Sequence, residues 1–203
     1  MPSTRRADLA AVALACLLPT AGLSQQLADG TPIHADDGRR LAEYHAAAGE
    51  ALLDAFSGGD PADLATLAGV LRGDPLPPEG ARAVMPGDWS CRVIKMGRLL
   101  PITVYQPFRC RIGSDGSLEK LTGSQRTKGQ IHQDGERLVY LGTGFIAGDT
   151  PPPYADLPPF SAGSDPQRVP ELGVVEMIDE NRGRVMFPDP HLESRFNVLA
   201  LSR

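Results

Sequence analysis

The stretch WSCRVIKMGRLLPITVYQPFRCRI, residues 89–112, decides the fold. It holds two of the chain's three cysteines, Cys91 and Cys110, in segments where apolar and charged residues alternate with the period of a strand. Read as two antiparallel strands with the cysteines face to face, it places Trp89 opposite Ile112 and Val93 opposite Phe108 on one side. The other side then carries Ser90 against Arg111, Arg92 against Arg109 and Ile94 against Pro107. Such a register is apolar inside and mostly charged outside, and a Cys91–Cys110 disulfide would pin it. The alternative is a pair of buried free thiols. Pro107 has no N–H for a ladder, so it marks an edge or a bulge, and a bulge would slip the pairs nearer the turn by one.

Downstream of this stretch the turn signals continue. Ser114-Asp115-Gly116 suits a three-residue hairpin loop, which sets Leu118 opposite Ile112 and Glu119 opposite Arg111. Asp134-Gly135 reads as a two-residue hairpin turn, with Ile131 facing Leu138 and His132 facing Arg137. Further strands follow in ELGVVEMID, RVMFP and RFNVLALS. About eight strands joined by short antiparallel connections predict a small closed barrel, or a sandwich that hides its edges. The proline-rich segment 149–170 has no periodicity. It is either disordered or a solvated Ω-like loop, or it packs over a barrel mouth through Tyr154, Leu157 and Phe160.

Upstream, residues 36–56 carry helical periodicity, with Leu41, Tyr44, Ala48, Ala51 and Ala55 on one stripe. Asp60 caps a second helix that has Pro61 at its first position and ends at Gly73. Residues 36–73 thus predict a helical hairpin, preceded by a loose arm at 25–35 and followed at 74–203 by the β domain. The first 24 residues place Arg5 and Arg6 before an apolar run from Leu9 to Leu18, the layout of a cleavable secretory signal. That layout predicts a periplasmic protein, and an oxidising compartment is where a disulfide persists. No other stretch is long and apolar enough for a membrane-spanning helix.

The whole chain carries 20 basic and 25 acidic residues; without Arg5, Arg6 and Asp8 the balance is 18 against 24. A net negative surface argues against nucleic-acid partners and anionic membranes. Catalytic signatures are scarce. No G-x-S-x-G elbow is present, and the four histidines, His34, His45, His132 and His191, have no metal-ligand spacing. His45 reads as a partly buried structural residue beside the helical stripe. Gly142 to Gly148 mimics a nucleotide loop, but it runs into Asp149 and prolines where a helix N-terminus would be needed. No catalytic residue, metal site or cofactor is therefore nominated. One arrangement stands out: Arg92 and Arg109, placed opposite each other by the supposed register, would need an acidic partner or an anion. They are a candidate anion or partner contact.

The blocks WSCRVIKMGRLLPITVYQPFRCRI, LTGSQRTKGQI, RLVYLGTGF and RVMFPDPHLESRFNVLALSR resemble those of an uncharacterised exported bacterial family, domain of unknown function four-eight-nine-three. The resemblance covers nearly all of the chain beyond the leader and implies a Gram-negative periplasmic setting, with no activity or cofactor to carry over. Gly87-Asp88-Trp89 is also similar to the G-x-W of lipocalin-like barrels. That likeness implies an arginine from the last strand, Arg195 or Arg203, packed on the tryptophan.

These readings predict a mainly β protein with an N-terminal helical hairpin, acting as a non-enzymatic module that binds a periplasmic protein or a small ligand. Two alternatives stand beside it: a lipocalin-like carrier of a small apolar ligand, and a hydrolase with an unrecognised site. A cleft joining His132 to carboxylates such as Glu136 would favour the latter.

Overall fold

The computed structural model describes residues 25–161 and 163–203, so the signal reading at residues 1–24 lies outside the described residues. Strand β1 (Gly87–Gly97) organises the sheet. Along one edge it pairs with β9 (Phe196–Ser202) from Ser90 to Met96. Its other edge is shared: β3 (Phe108–Ile112) takes the first half and β2 (Leu100–Val104) the second. From β3 the ladder runs on through β4 (Ser117–Lys120), β5 (Gln125–Asp134), β6 (Arg137–Ile146), β7 (Arg168–Met177) and β8 (Arg182–Pro188) to β9. The result is a closed antiparallel barrel of eight strands with β2 as a ninth on β1. Closure leaves no long unpaired edge for aggregation.

The disulfide is present, with Cα atoms 5.8 Å apart, but the register differs from the one expected. Trp89 opposes Cys110 and Cys91 opposes Phe108, so the cysteines are diagonal neighbours on one face. The shift follows from the third strand. Residues 100–104 turn back on β1 as β2, and Tyr105 to Pro107 become a link rather than part of a ladder. A diagonal pair on the same face still brings Cβ atoms within bridging reach. The next hairpin matches expectation, with Ile112 opposite Leu118 and Arg111 opposite Glu119. At the β5–β6 turn the pairs instead slip by two, Ile131 to Tyr140 and His132 to Val139. Gly135 takes φ 63° and starts the turn, which leaves Asp134 in the ladder opposite Arg137, where the two also form an ion pair.

Among the described residues four α-helices cover the barrel rather than the two expected. The first predicted helix divides at Glu43 into α1 (Ala35–Ala42) and α2 (Tyr44–Gly58). α3 (Pro61–Leu71) begins at Asp60, whose side chain accepts from the Ala62 N–H, as its sequence indicates. α4 (Pro78–Val84) forms within the supposed connector. α2 and α3 bury Ala51, Ala55 and Leu67 against the outward Ile94, Met96, Ile102 and Val198. Arg184 fastens this layer by pairing with Glu176 and donating 3.0 Å to the Val70 carbonyl of α3. α1 covers the outer face of β6 and β7 together with Leu27, Ile33 and Tyr154. The arm at 25–35 is accordingly tied down, with Leu27 and Ile33 buried. Covered on both faces, β6 reads as a nearly continuous apolar run.

The barrel's lower half is solid. Trp89, Ile112, Leu118, Ile131, Leu138, Val175, Met177 and Leu201 interdigitate there, and Ala81 and Met85 of the α4 region close the end. Each such large side chain contributes about 1.5–3 kcal/mol when fully buried. The Trp89 indole N–H donates to the Met85 carbonyl at 2.8 Å, and the Arg203 guanidinium lies 3.8 Å over the ring. Arg203 thus fills the position implied by the G-x-W likeness, while Arg195 pairs with Glu50 and Asp189.

Candidate functional site

Side chains alternate along a strand, so inward positions can be read upward from the solid core. On β1 they run Trp89, Cys91, Val93, Lys95; on β7, Met177, Val175, Gly173, Glu171, Val169. The same parity leads from Leu118 to Lys120 on β4 and from Tyr140 to Gly142 and Gly144 on β6. Halfway up, large apolar groups give way to glycine and polar residues. A cavity of about 210 Å³ opens there, lined among others by Val93, Phe108, Lys120, Thr127, Glu171 and Leu199.

The glycines of β6 make room for the polar groups. A Cβ on Gly142 would fall 2.0 Å from the Tyr140 hydroxyl, and one on Gly144 would fall 2.8 Å from Glu171 Oε1. The segment that mimicked a nucleotide loop is therefore a bare patch of barrel wall. The Tyr140 and Thr127 hydroxyls are 2.5 Å apart, and burial holds Tyr140 as a neutral phenol.

Two charges face this space without touching. Protein encloses the Glu171 carboxyl except where it meets the cavity, and its Oε2 has no hydrogen-bond partner. Burial pushes its pKa above the ordinary carboxylate value, against the opposing pull of a Thr127 hydrogen bond and of Arg40, Lys95 and Lys120. Lys120 is 5% exposed. Its ammonium donates to the carbonyls of Thr122 (3.1 Å) and Gln125 (2.6 Å) and lies 3.7 Å over the Phe108 ring. Burial, aided by Arg126, pushes its pKa down to about 8.

At the upper end of the barrel side chains link β1 to β5 and the rim: Lys95 donates to Gln125 Oε1 at 2.9 Å and pairs with Glu193 at 2.5 Å. Glu193 and Asp189 belong to the β8–β9 loop and sit at φ 65° and 42°. Left-handed backbone at a non-glycine residue costs on the order of 1–2 kcal/mol, so this rim is held under strain.

Beside the cavity lies a buried polar cluster. Asp37 and Arg40 of α1 pair with side chains 1% and 2% exposed. The Tyr154 hydroxyl donates to Asp37 Oδ2 at 2.5 Å, and Arg40 also reaches the Asp189 carbonyl at 3.4 Å. His191 stacks on Phe160 with ring centroids 4.0 Å apart, and burial, aided by Arg40, lowers its pKa to about 4, which keeps the ring neutral. Asp36, Asp37 and His191 bring ligand atoms within 4.8 Å of one another. A cation is already supplied there, since the Arg40 guanidinium and the Tyr154 hydroxyl occupy the oxygens of Asp37. The cluster is a clamp joining α1 to the 149–170 segment and the rim loop.

The sequence-nominated residues are scattered. Arg92 lies opposite Ala200 and Arg109 opposite Ser90, so the like-charge conflict that singled them out does not arise. Arg111 takes Asp88 as its partner at 2.6 Å. Segment 149–170 forms a strap with a 3-10 turn at Tyr154–Asp156, and Thr143 Oγ1 donates 2.7 Å to its Pro152 carbonyl. Tyr154 and Leu157 are buried, Tyr154 against the barrel's outer wall; only Phe160, through His191, reaches the rim. His45 is exposed rather than partly buried, its ring edge-on to Tyr44. His132 meets Thr31 Oγ1 at 3.1 Å and Asp29 Oδ2 at 3.3 Å, both through Nδ1. A catalytic relay needs its partners on opposite ring nitrogens, so this is no hydrolase triad. Glu171 and Lys120 went unnoticed, although each stands at an inward position of a strand.

The molecule is thus a helix-covered eight-stranded barrel, solid below and hollow above, with opposite charges facing the hollow. Comparison with family models then places it: residues 31–201 match the domain of unknown function (DUF4893), and the chain belongs to that family. Comparisons with curated proteins and with solved structures returned no match.

Proposed function

We propose that this protein is an exported, periplasmic ligand-binding module that holds a small molecule in the upper half of its barrel. The observation that carries the reading is the carboxyl of Glu171, which lines the cavity and whose buried Oε2 is short of a hydrogen-bond partner. Proteins rarely leave a buried carboxyl unmatched, because desolvation is then uncompensated. A ligand that supplies the missing partner removes that cost. The disulfide suits an oxidising compartment, and no helix among the described residues is long and apolar enough to cross a membrane. A purely apolar cargo fits less well, since it would leave Glu171 Oε2 unmatched and Lys120 without a carboxylate.

The test is native mass spectrometry of the protein released from periplasm, beside a Val93→Phe variant whose ring plugs the cavity. The reading expects a bound small molecule in the wild type and none in the plugged variant, with the variant's fold intact by circular dichroism. Equal retention by the plugged variant would place the ligand elsewhere and end the proposal.

A further inference from the structure

The inference rests on the upper cavity being a ligand site and concerns the chemistry of the ligand. We propose that the cavity takes a compact organic acid whose carboxylate pairs with Lys120 and whose far end donates a hydrogen bond to Glu171.

Lys120 argues for the carboxylate. An ammonium group has three donors, and two are spent on the carbonyls of Thr122 and Gln125. Among the described residues no carboxylate lies within 4.0 Å of it, although its side chain is almost fully buried. The Phe108 ring beneath it is a weak partner for a full charge. Its charged neighbours do not help. Arg126 is a second cation without a carboxylate in reach and bonds the Gly123 carbonyl, and Lys95 is committed to Glu193. This end of the cavity is therefore a pocket of positive potential, where an entering anion is favoured and a second cation is not.

Glu171 argues for the donor. It stands on β7, feels the charge of Lys120 and makes no contact with it. A molecule that bears only a carboxylate would leave Glu171 as it is. One that also carries a hydroxyl or amine answers both ends, with its body against Val93, Phe108, Val169 and Leu199. The space of about 210 Å³ suits a compact molecule such as one substituted ring or a short branched acid.

The test titrates the full folded protein with 4-hydroxybenzoate, benzoate and benzyl alcohol, read by calorimetry and by amide chemical shifts of the lining residues. The expectation is that 4-hydroxybenzoate binds at the cavity, benzoate about tenfold more weakly for want of one charge-assisted hydrogen bond, and benzyl alcohol more weakly again. Lys120→Met should lower affinity for both acids by a hundredfold or so, as loss of a buried ion pair does. Glu171→Leu should erase the difference between the two acids. Both replacements are apolar and of similar volume, so each is expected to fold, which circular dichroism checks. If benzyl alcohol fills the cavity as tightly as the acids, or if Lys120→Met leaves acid binding unchanged, the inference is overturned while the reading of the barrel as a ligand site stands. If none of the three moves the lining resonances at millimolar concentration, both are overturned.

Discussion

Lys120 makes a prediction about the empty protein that needs no ligand. In the unfolded chain its pKa is the ordinary 10.5, whereas in the barrel burial lowers it to about 8. Below pH 8 the ammonium is charged in both states, and the folded state bears the cost of burying it. That cost is the full shift, on the order of 3 kcal/mol at 1.36 kcal/mol per pK unit. Between pH 8 and 10.5 the folded protein has released the proton while the unfolded chain retains it, so stability rises with pH through that window. Integrated from pH 7 to pH 9.5, the gain is about 2 kcal/mol. Other charged groups face Lys120, namely Arg126, Lys95 and Glu171, and influence the total. Comparing wild type with Lys120→Met cancels them to first order. The assay is urea unfolding at half-unit steps from pH 7 to pH 9.5. The wild type should gain about 2 kcal/mol on the variant across the range, whatever constant offset the lost carbonyl hydrogen bonds introduce. Parallel stability curves would show that Lys120 is solvated, and the account of the cavity's charge would fail.

Two further outcomes concern the frame. The Cys91–Cys110 bridge spans 19 residues, so the double Cys→Ala variant should lose about 3 kcal/mol in the chain-entropy account, measured as a lowered urea midpoint. A midpoint equal to that of the oxidised wild type would show the bridge to be dispensable. Asp37→Leu removes the carboxylate that pairs with the buried Arg40, leaving it Asp36 at 3.8 Å and backbone carbonyls, and should cost about 3 kcal/mol. A loss below about 1 kcal/mol in thermal or chemical unfolding would mean that the clamp between α1, the strap and the rim loop is not a unit.

The barrel could be read from the sequence because closure depends on period and turns, both local. Alternation around Cys91 and Cys110, the loop at Ser114 to Gly116 and the run of hairpins downstream were enough to name an antiparallel barrel or sandwich of about eight strands. Register was less accessible. β2 competes with β3 for the same edge of β1, and nothing local to Leu100–Val104 says that this strand folds back and pushes β3 down by two residues. The Arg92–Arg109 conflict came from that slipped register. The helical hairpin is legible in its periodicity and its cap at Asp60, but the fourth helix is not. α4 forms within a proline- and glycine-rich stretch because Ala81 and Met85 find a barrel end to close, a tertiary gain that propensity does not record. Lys120 and Glu171 were within reach: each shares parity with inward residues, Leu118 in one case and Val175 and Met177 in the other. What parity could not supply was the depth of each along the barrel, which depends on the register of the neighbouring strands.

The uneven filling of the barrel is itself an argument for function. Eight strands enclose a space that side chains can fill completely, and the lower half does so with Trp89, Leu118 and Met177. Continuing the pattern upward would put apolar residues where Lys120 and Glu171 now stand. Such replacements would remove a depressed ammonium and an unpartnered carboxyl, and both changes favour the folded state. The rim adds two strained residues, Asp189 and Glu193. The side chain of Glu193 pairs with Lys95 of β1, and the carbonyl of Asp189 receives Arg40. Cost therefore accumulates at one end of an otherwise well-packed molecule. Destabilising features spread at random would occur in the lower core as often as in the upper. Their confinement to the hollow end is what selection for binding there would leave behind.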